Sequence, residues 1–354
     1  MSSQFGKIFQ ISTFGESHGT GLGVIVDGMP AGIALDIDFI QADLDRRRPG
    51  TSKWVSQRKE TDQIQILSGI ANGKTLGSPI AMVVINQDAR SKDYSNIAHL
   101  FRPGHADYTY FKKYGLKLQP GGGRASGRET LARVAAGAVA KTLLQTMNVD
   151  IQAYTLSIGD IVAEFIDPDF AKNHPMRCAD PDIAEEMLAL VDQMRKEGNS
   201  IGGVIQVVAK NVPPGWGEPV FHKLDAMLAM GLISIGAVKG IEFGAGFNAS
   251  KMTGNEHNDP ITPKGFESNN AGGILGGISN GDNIVMQLAI KPTPSISISQ
   301  PTIDNDNNPE MITIKGRHDP CICSRICPVA EAMTAIVLAD AFLLNQRQMN
   351  GDNS

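Results

Sequence analysis

Short apolar runs and helical spacings alternate along the first quarter of the chain and predict a mixed fold. Residues 5–14 and 22–29 predict two strands, joined by the glycine-rich loop F-G-E-S-H-G-T-G. Apolar positions four residues apart in 38–47 predict a helix that ends at the following Pro-Gly pair. Residues 63–70 and 78–85 predict two further strands, and the turn N-G-K separates them.

The rest of the chain mixes helical and extended patterns without a regular βαβ alternation. Helices are predicted over 105–114, 128–147, 181–196, 221–230 and 328–345, and strands over 149–158, 202–211, 284–290 and 311–314. No G-x-G-x-x-G follows the first strand, which argues against a doubly wound sheet. We therefore predict a single α+β domain over 1–354, with 346–354 as a disordered tail.

The glycine-rich stretch G-G-G-R-A-S-G-R-E at 121–129 precedes the most alanine-rich predicted helix. Ser126 followed three residues later by Glu129 predicts a capping box, in which each side chain bonds the other residue's backbone N–H. A helix N-terminus with Arg124 and Arg128 beside it favours an anion site, and a glycine turn needed only for packing is the alternative. The stretch lacks the G-x-x-x-x-G-K-[ST] spacing of a P-loop.

Charge is unevenly distributed along the chain. The net charge is −5, but 46–141 carries 17 Lys and Arg against 6 Asp and Glu, while the remainder carries 15 against 31. The basic segment indicates an anionic partner, and the acidic remainder would repel a long polyanion such as nucleic acid. A compact, multiply charged small molecule is therefore the predicted ligand.

Three titratable residues stand out as candidates for proton chemistry. His18 lies in the first glycine-rich loop, where a solvated histidine is the alternative. His105 begins a predicted helix whose dipole would lower the imidazole pKa, which suits work near neutrality, although a structural role stays open. Asp340 has apolar neighbours at i±3 and i±4, so it is either paired, for instance with an arginine, or a proton-handling group.

The cysteines and the apolar runs bear on metals and on location. Three of the four cysteines, Cys321, Cys323 and Cys327, are crowded together without the C-x2-C spacing of zinc modules, so free thiols are predicted and no metal is expected.

We saw no apolar stretch approaching the roughly 20 residues that span a bilayer, and no charged-then-apolar leader. A soluble, cytoplasmic protein without a membrane or nucleic-acid partner is the expectation.

Seven motifs occur in an order and at spacings that together are highly specific. They are F-G-E-S-H-G, D-R-R-R-P-G-T-S, R-P-G-H-A-D-Y, G-G-G-R-x-S-x-R-E-T, A-G-G-I-L-G-G-I-S, K-P-T and G-R-H-D-P-C. On these motifs, from about residue 5 to 345, the chain resembles the chorismate synthase family. The resemblance implies a lyase that eliminates phosphate from 5-enolpyruvylshikimate 3-phosphate in a 1,4-elimination and requires reduced FMN. This reaction is the last step of the shikimate pathway to aromatic amino acids.

The resemblance also implies roles for particular residues. Catalytic positions would be His18, His105 and Asp340: one histidine would assist phosphate departure, the other would maintain the flavin's protonation state, and Asp340 would support proton transfer. Substrate contacts would come from Ser17, His18, Arg47, Lys53, Arg102, Arg128 and Arg325. Flavin contacts would come from Arg124, Ala125, Ser126, Gly236, Ala237, Gly276, Lys291, Pro292, Thr293, Pro294, Ser295 and Arg317. Ala125 and Pro294 stand where the family often has serine, so one flavin-facing hydroxyl is lost at each.

The resemblance further implies a β-α-β sandwich, with antiparallel sheets flanking a helical core, and a homotetramer. No nicotinamide fingerprint is visible, so we expect an external flavin reductase or reductant rather than intrinsic NADPH-dependent reduction.

Two other functions remain as alternatives on the residues alone. One is a phosphate-handling transferase that binds a nucleotide at the 121–129 turn, and the other is an RNA-binding module using Arg46–Arg48 and Trp54.

Overall fold

The computed structural model describes residues 3–48, 61–86, 99–116, 120–314, 316 and 318–349. Its strands are β1 (Gln4–Phe5), β2 (Gln10–Gly15), β3 (Gly21–Asp27), β4 (Ile64–Ile66), β5 (Ile70–Ala71), β6 (Lys74–Thr75), β7 (Ile80–Ile85), β8 (Asp150–Ile158), β9 (Ile161–Val162), β10 (Gly203–Lys210), β11 (Val238–Phe243), β12 (Ile261–Thr262), β13 (Gly265–Phe266), β14 (Ile274–Leu275), β15 (Ile278–Ser279), β16 (Ile284–Ile290), β17 (Gln300–Ile303) and β18 (Pro309–Ile312). Its α-helices are α1 (Ile37–Arg47), α2 (Asp107–Tyr114), α3 (Thr130–Gln145), α4 (Pro168–Asn173), α5 (Ala184–Lys196), α6 (Leu224–Ile233), α7 (Gly254–His257) and α8 (Cys323–Met349).

Two antiparallel five-stranded sheets form the outer layers. The first has the order β1-β2-β3-β7-β4, and the second has the order β11-β16-β10-β8-β9. Buried and less buried residues alternate along β7 and β16, as expected for strands that present one face to a core. The remaining strands pair as short two-stranded hairpins.

The helices α3 and α8 lie between the two sheets and form the centre of the core. Helix α3 packs against β2 and β3, helix α8 packs against β8 and β10, and the two helices contact each other along their length. They approach so closely at Gly137 that a Cβ there would lie 2.3 Å from the Cβ of Ala332. The predicted α+β class is confirmed, and the layers follow the sheet–helix–sheet order that the resemblance implied.

Several element boundaries differ from the sequence prediction. The strand predicted over 5–14 is split into β1 and β2, because the chain turns at Gly6, whose φ is 90°. Helix α8 begins at Cys323 rather than at Pro328, so Pro328 lies inside its first turns. Proline has no N–H group, so Pro328 cannot donate the helical hydrogen bond to the Ser324 carbonyl. The same helix continues to Met349, so residues 346–349 are helical and not part of a disordered tail.

Helix α8 also corrects the expectation about long apolar stretches. Residues Cys323–Arg347 are long and apolar enough to cross a membrane, with a mean hydropathy of 1.8. However, 94% of this stretch is buried inside the protein, between the two sheets. The apolar composition of α8 therefore reflects its place in the core, where it is surrounded by protein on all sides.

Candidate active site

Two of the predicted substrate-binding arginines converge on one buried carboxylate. The Nη2 atom of Arg47 lies 2.8 Å from Oδ2 of Asp62, and Nη1 of Arg128 lies 2.9 Å from Oδ1 of the same residue. The side chains of Asp62, Arg47 and Arg128 are only 0%, 2% and 9% exposed. A shared, water-excluded carboxylate orients both guanidinium groups far more strongly than a surface ion pair would.

The electrostatics of this arginine pair follow from its burial. Burial opposes ionisation of Asp62, yet Arg47 and Arg128 hold the pKa of its carboxyl below the ordinary value. Burial lowers the pKa of Arg47 to about 10, and Asp62 opposes that change, whereas Arg325 and Arg128 reinforce it. Arg325 extends the cationic group, since its Nε donates to the Arg47 carbonyl at 3.3 Å and its Nη1 to Asp319 Oδ2 at 2.6 Å.

Asn86 connects the arginine pair to the loop that carries His18. Arg128 Nε donates to Asn86 Oδ1 at 2.8 Å, while Asn86 Nδ2 donates to the carbonyls of Glu16 and Gly19 at 3.1 and 2.8 Å. Within that loop, Ser17 Oγ lies 3.2 Å from Nδ1 of His18. Asn86 therefore ties Arg128 to the backbone of the loop that carries Ser17 and His18.

His105 lies just before α2 and contacts the segment predicted to hold the flavin. Its Nε2 lies 2.7 Å from Oγ of Ser295, a buried hydroxyl. Arg102 forms a bidentate pair with Asp107 at 2.6 and 2.7 Å. Burial, followed by the positive charge of Arg102, lowers the pKa of His105 to about 4. The imidazole is therefore neutral near pH 7, because desolvation and a nearby cation both disfavour its charged form.

The glycine turn differs in detail from the predicted capping box. Ser126 Oγ accepts from the N–H of Arg128 at 3.3 Å, not from that of Glu129. The Glu129 carboxylate does not reach back to Ser126; it accepts from Thr13 Oγ1 at 3.1 Å and from Arg133 Nε at 2.9 Å. The capping-box prediction is therefore wrong. Tertiary partners of the buried Glu129 carboxylate take the place of the local bond, and residues 127–129 form a 3-10 turn before α3.

Arg124 also makes contacts that the sequence did not predict. Its Nη2 donates to Thr13 Oγ1 at 2.6 Å, and its Nη1 donates to the Gly15 carbonyl at 3.4 Å. These bonds attach the glycine turn to the end of β2, from which the His18 loop continues. The turn and that loop are thereby held as one unit.

The other residues predicted to bind the flavin lie where the backbone leaves space for a ligand. The N–H of Lys291 donates to the Ala237 carbonyl at 3.0 Å, and Lys291 Nζ donates to the Gly104 carbonyl at 2.8 Å. Thr293 Oγ1 is buried without a hydrogen-bond partner among the described residues. Side chains added at Gly236 or Gly276 would meet no atom of the described part of the chain within 4 Å. Pro294 lies against Gly104, while Lys53, Trp54 and Arg317 fall outside the described residues.

Asp340 has a different environment from the two histidines. Its carboxylate is 4% exposed and accepts from the backbone N–H groups of Lys7, Ile8 and Phe9 at 2.9, 2.7 and 3.0 Å. It also borders a small cavity that His222 and Leu224 help to line. The arginine partner considered for Asp340 is replaced by these three backbone donors. Its catalytic role stays a prediction, and the geometry favours a structural role in holding the chain between β1 and β2.

A charge cluster of two buried carboxylates, Asp43 and Glu331, and two partly exposed cations, Arg46 and Lys141, anchors α1 to the central helices. Arg46 forms a bidentate pair with Glu331 at 2.7 Å for each bond and a further pair with Asp43 at 2.8 Å. Lys141 bonds the same two carboxylates at 2.7 and 2.9 Å. Because Arg46 immediately precedes Arg47, this cluster fixes the end of α1 from which Arg47 reaches Asp62.

The cysteines are buried as free thiols in the described part of the chain. Burial raises the pKa of Cys327 to about 12, so this thiol is protonated near neutrality. Among the described residues, no group of three or more His, Cys, Asp or Glu side chains is arranged to hold a metal ion. The crowding of Cys321, Cys323 and Cys327 thus belongs to the start of α8 and its packing.

Sequence reasoning missed Asp62, Asn86 and Asp107. Asp107 was present in the motif R-P-G-H-A-D-Y, where a carboxylate five residues after Arg102 was an available signal. Asn86 and Asp62 carried no local signal, because each acts by joining segments that are far apart in the chain. Only the packing of α1, β7 and the 127–129 turn identifies their partners.

Comparison with known proteins shows which family the chain is similar to. A family model described as chorismate synthase matches residues 9–343. A chorismate synthase from Nitratidesulfovibrio vulgaris is 52% identical over 342 residues, which cover 97% of each chain. One from Nitrosomonas europaea is 51% identical over 351 residues, covering 99% of this chain and 90% of the relative. A crystal structure of a chorismate synthase matches with a TM-score of 0.78 at 33% identity, covering 98% of this chain and 94% of the other.

Proposed function

The chain belongs to the chorismate synthase family and is a lyase that forms chorismate, and on that premise we propose where and how it does so. The proposed active centre comprises the arginine pair on Asp62, the His18 loop and the His105–Ser295 contact. The observation that carries this proposal is the chain of contacts from Asp62 through Arg128 and Asn86 to the backbone of the His18 loop. These contacts support a site in which the arginine pair and the loop that carries His18 act together.

We propose that the arginines bind the anionic groups of 5-enolpyruvylshikimate 3-phosphate. The substrate carries a phosphate and two carboxylates, and guanidinium groups bind such oxygens through paired, charge-assisted hydrogen bonds. Arg47 and Arg128 are held in place before any ligand arrives, which lowers the cost of ordering them on binding. Arg325 and Arg102 would add further positive charge, and each is paired with a carboxylate of its own, Asp319 or Asp107.

The two histidines have different surroundings, which supports different roles. His18 is joined through its loop to Arg128, so we assign it to the departing phosphate, where a proton or a hydrogen bond offsets the developing charge. His105 faces Ser295 of the predicted flavin segment and is neutral near pH 7, so we assign it to the flavin side. The neutral imidazole can exchange a proton there without placing a fixed positive charge on the site.

Reduced FMN is the cofactor that we propose for this site. The described residues fit such a group: within this part of the chain the buried Thr293 hydroxyl has no hydrogen-bond partner, and the space in front of Gly236 and Gly276 is open. When bound, a reduced flavin supplies transient electron density to the substrate ring during elimination. Lys291 to Ser295, Arg124 to Ser126 and Gly276 would hold it. Ala125 and Pro294 can contribute backbone or apolar contacts but no hydroxyl.

The wider setting of the enzyme is also proposed. We propose a cytoplasmic homotetramer that receives reduced flavin from an external reductase or reductant, as the resemblance implies. The nucleotide-transferase and RNA-binding alternatives are set aside, because family membership over residues 9–343 accounts for the basic segment with a small anionic substrate.

The decisive test is anaerobic incubation of the protein with reduced FMN and 5-enolpyruvylshikimate 3-phosphate. We expect chorismate absorbance and phosphate release to appear together, in equal amounts. Oxidised FMN is the matched control and should give no product. Absence of both products with reduced FMN would refute the proposed function.

A further inference from the structure

Asp62 is distinguished from the other carboxylates near the site by its complete burial between two arginines. Its side chain is 0% exposed, and each carboxylate oxygen lies within 3 Å of a different guanidinium, at 2.8 Å for Arg47 and 2.9 Å for Arg128. Gln41 Nε2 also donates to the Asp62 carbonyl at 3.3 Å, which fixes the backbone of the same residue to α1. The side chain of Asp62 is therefore tied to the arginine pair, and its main chain is tied to α1, the helix that carries Arg47.

The backbone conformation at this position is matched to the residue. Asp62 has a φ of 46°, in the left-handed region that most side chains avoid. Aspartate and asparagine adopt this region more readily than other non-glycine residues. The turn thus presents a short carboxylate directly to Arg47 and Arg128, and an asparagine can occupy the same backbone without added strain.

The positive charges around Asp62 indicate what its carboxylate does. Arg47, Arg128 and Arg325 face one another closely enough that Arg128 and Arg325 each disfavour the charged form of Arg47. Without a carboxylate between them, Arg47 and Arg128 would repel each other and lose their common orientation. Asp62 Oδ2 accepts a hydrogen bond from Arg47, and Asp62 Oδ1 lies 2.9 Å from Arg128 as an ion pair, so one carboxylate can hold both guanidinium groups at the same time.

We propose that Asp62 is a positioning residue that holds Arg47 and Arg128 in the geometry that binds the anionic groups of the substrate. This inference rests on the proposed function, because it takes 5-enolpyruvylshikimate 3-phosphate as the ligand. Asp62 itself acts through the two arginines and makes no contact with the reacting atoms. Substrate affinity therefore depends on a negatively charged residue within a cationic site.

The test is the substitution Asp62→Asn, assayed anaerobically with reduced FMN. The amide keeps one acceptor oxygen but turns an N–H group towards the second arginine, so the shared pairing is lost at nearly constant shape. We expect KM for the substrate to rise roughly 10- to 100-fold, the range typical for loss of charged hydrogen bonds, while kcat changes by less than about threefold. The effect should shrink in an Arg128→Lys background, because lysine cannot make the forked contact.

Asp192→Asn is the matched control. Asp192 also pairs with two basic side chains, Arg195 and Lys196, but on the exposed surface of α5. We expect the KM of this variant to equal that of the wild type. If Asp62→Asn does not fold, Asp62→Glu retains the charge and displaces it by one methylene, and it should raise KM several-fold.

Three outcomes would overturn the inference. The first is an unchanged or lower KM in folded Asp62→Asn, which would mean that the carboxylate merely competes with the substrate for the arginines. The second is a fall in kcat and kcat/KM by equal factors in Asp62→Asn, together with an effect of the same size in the Arg128→Lys background. That result would indicate a purely structural role. The third is a wild-type KM in Asp62→Glu. Failure of the wild type to form chorismate would instead refute the proposed function, so the two failures are distinguishable.

Discussion

Replacing Glu331 with glutamine would remove a buried negative charge that two cationic side chains share. Glu331 is 2% exposed, bonds Arg46 through both oxygens at 2.7 Å, and accepts from Lys141 Nζ at 2.9 Å. One of its oxygens also accepts from the backbone N–H of Ala153 in β8 at 3.1 Å. The carboxylate thus connects α1, α3, α8 and the second sheet at one point.

The magnitude of the effect follows from this burial. Breaking a buried ion pair by removing one partner typically costs about 3–5 kcal/mol, since the remaining charge is left uncompensated. Burial opposes ionisation of Glu331, but Lys141 and Arg46 lower its pKa from 4.5 to about 2. That depression corresponds to about 3 kcal/mol of the free energy of unfolding. Because the folded-state pKa is the lower one, this contribution is present above about pH 4.5 and is lost as the pH falls towards 2.

Denaturant unfolding of the wild type and Glu331→Gln at pH 7 and at pH 3 measures both effects. At pH 7 we expect Glu331→Gln to be less stable by about 3 kcal/mol or more. We expect the difference to narrow at pH 3, because the glutamate of the unfolded wild type, with its ordinary pKa of 4.5, is protonated there, whereas the folded carboxylate, with a pKa of about 2, is still mostly ionised. Glu310→Gln, on the exposed face of β18, is the control and should leave stability unchanged at both pH values. A Glu331→Gln protein within 1 kcal/mol of the wild type at pH 7 would refute this reasoning.

Three further predictions concern the histidine, the aspartate and the helix contact. His105, with a pKa of about 4, should stay neutral down to about pH 5 in an NMR titration; protonation near pH 6.5 would contradict its desolvated setting. Asp340→Asn should lower Tm, because an amide presents N–H to one of three backbone donors; an unchanged Tm with reduced turnover would support the catalytic role. Gly137→Val should destabilise the protein by several kcal/mol in denaturant unfolding, whereas Gly127→Ala, where a Cβ meets no atom within 4 Å, should not.

Local periodicity was sufficient for most regular elements. The helix predicted over 38–47 and the strand predicted over 284–290 correspond to α1 and β16, because one buried face imposes a spacing that can be read directly. Strand β11 and the start of α8 were less visible. The first lies within the glycine-rich stretch 234–247, and the second contains a proline that usually marks a helix boundary.

The motif order was sufficient to indicate the family, because the seven motifs are short segments that occur in a specific order and at specific spacings. The partners of these residues could not be predicted from the same segments. Glu129 fits a capping box by spacing, yet its carboxylate bonds Thr13 and Arg133. A local bond forms only when no better tertiary partner is available, and that competition is decided by packing.

Amino-acid sequence by itself determined the class of fold, the family and the concentration of positive charge. Tertiary structure alone decided which carboxylate balances which cation. Glu331 lies 285 residues from Arg46, and Asp62 joins arginines that belong to different segments of the chain. Burial is a property of the folded core, and only burial makes these pairings strong, since the same charges in water would attract one another weakly.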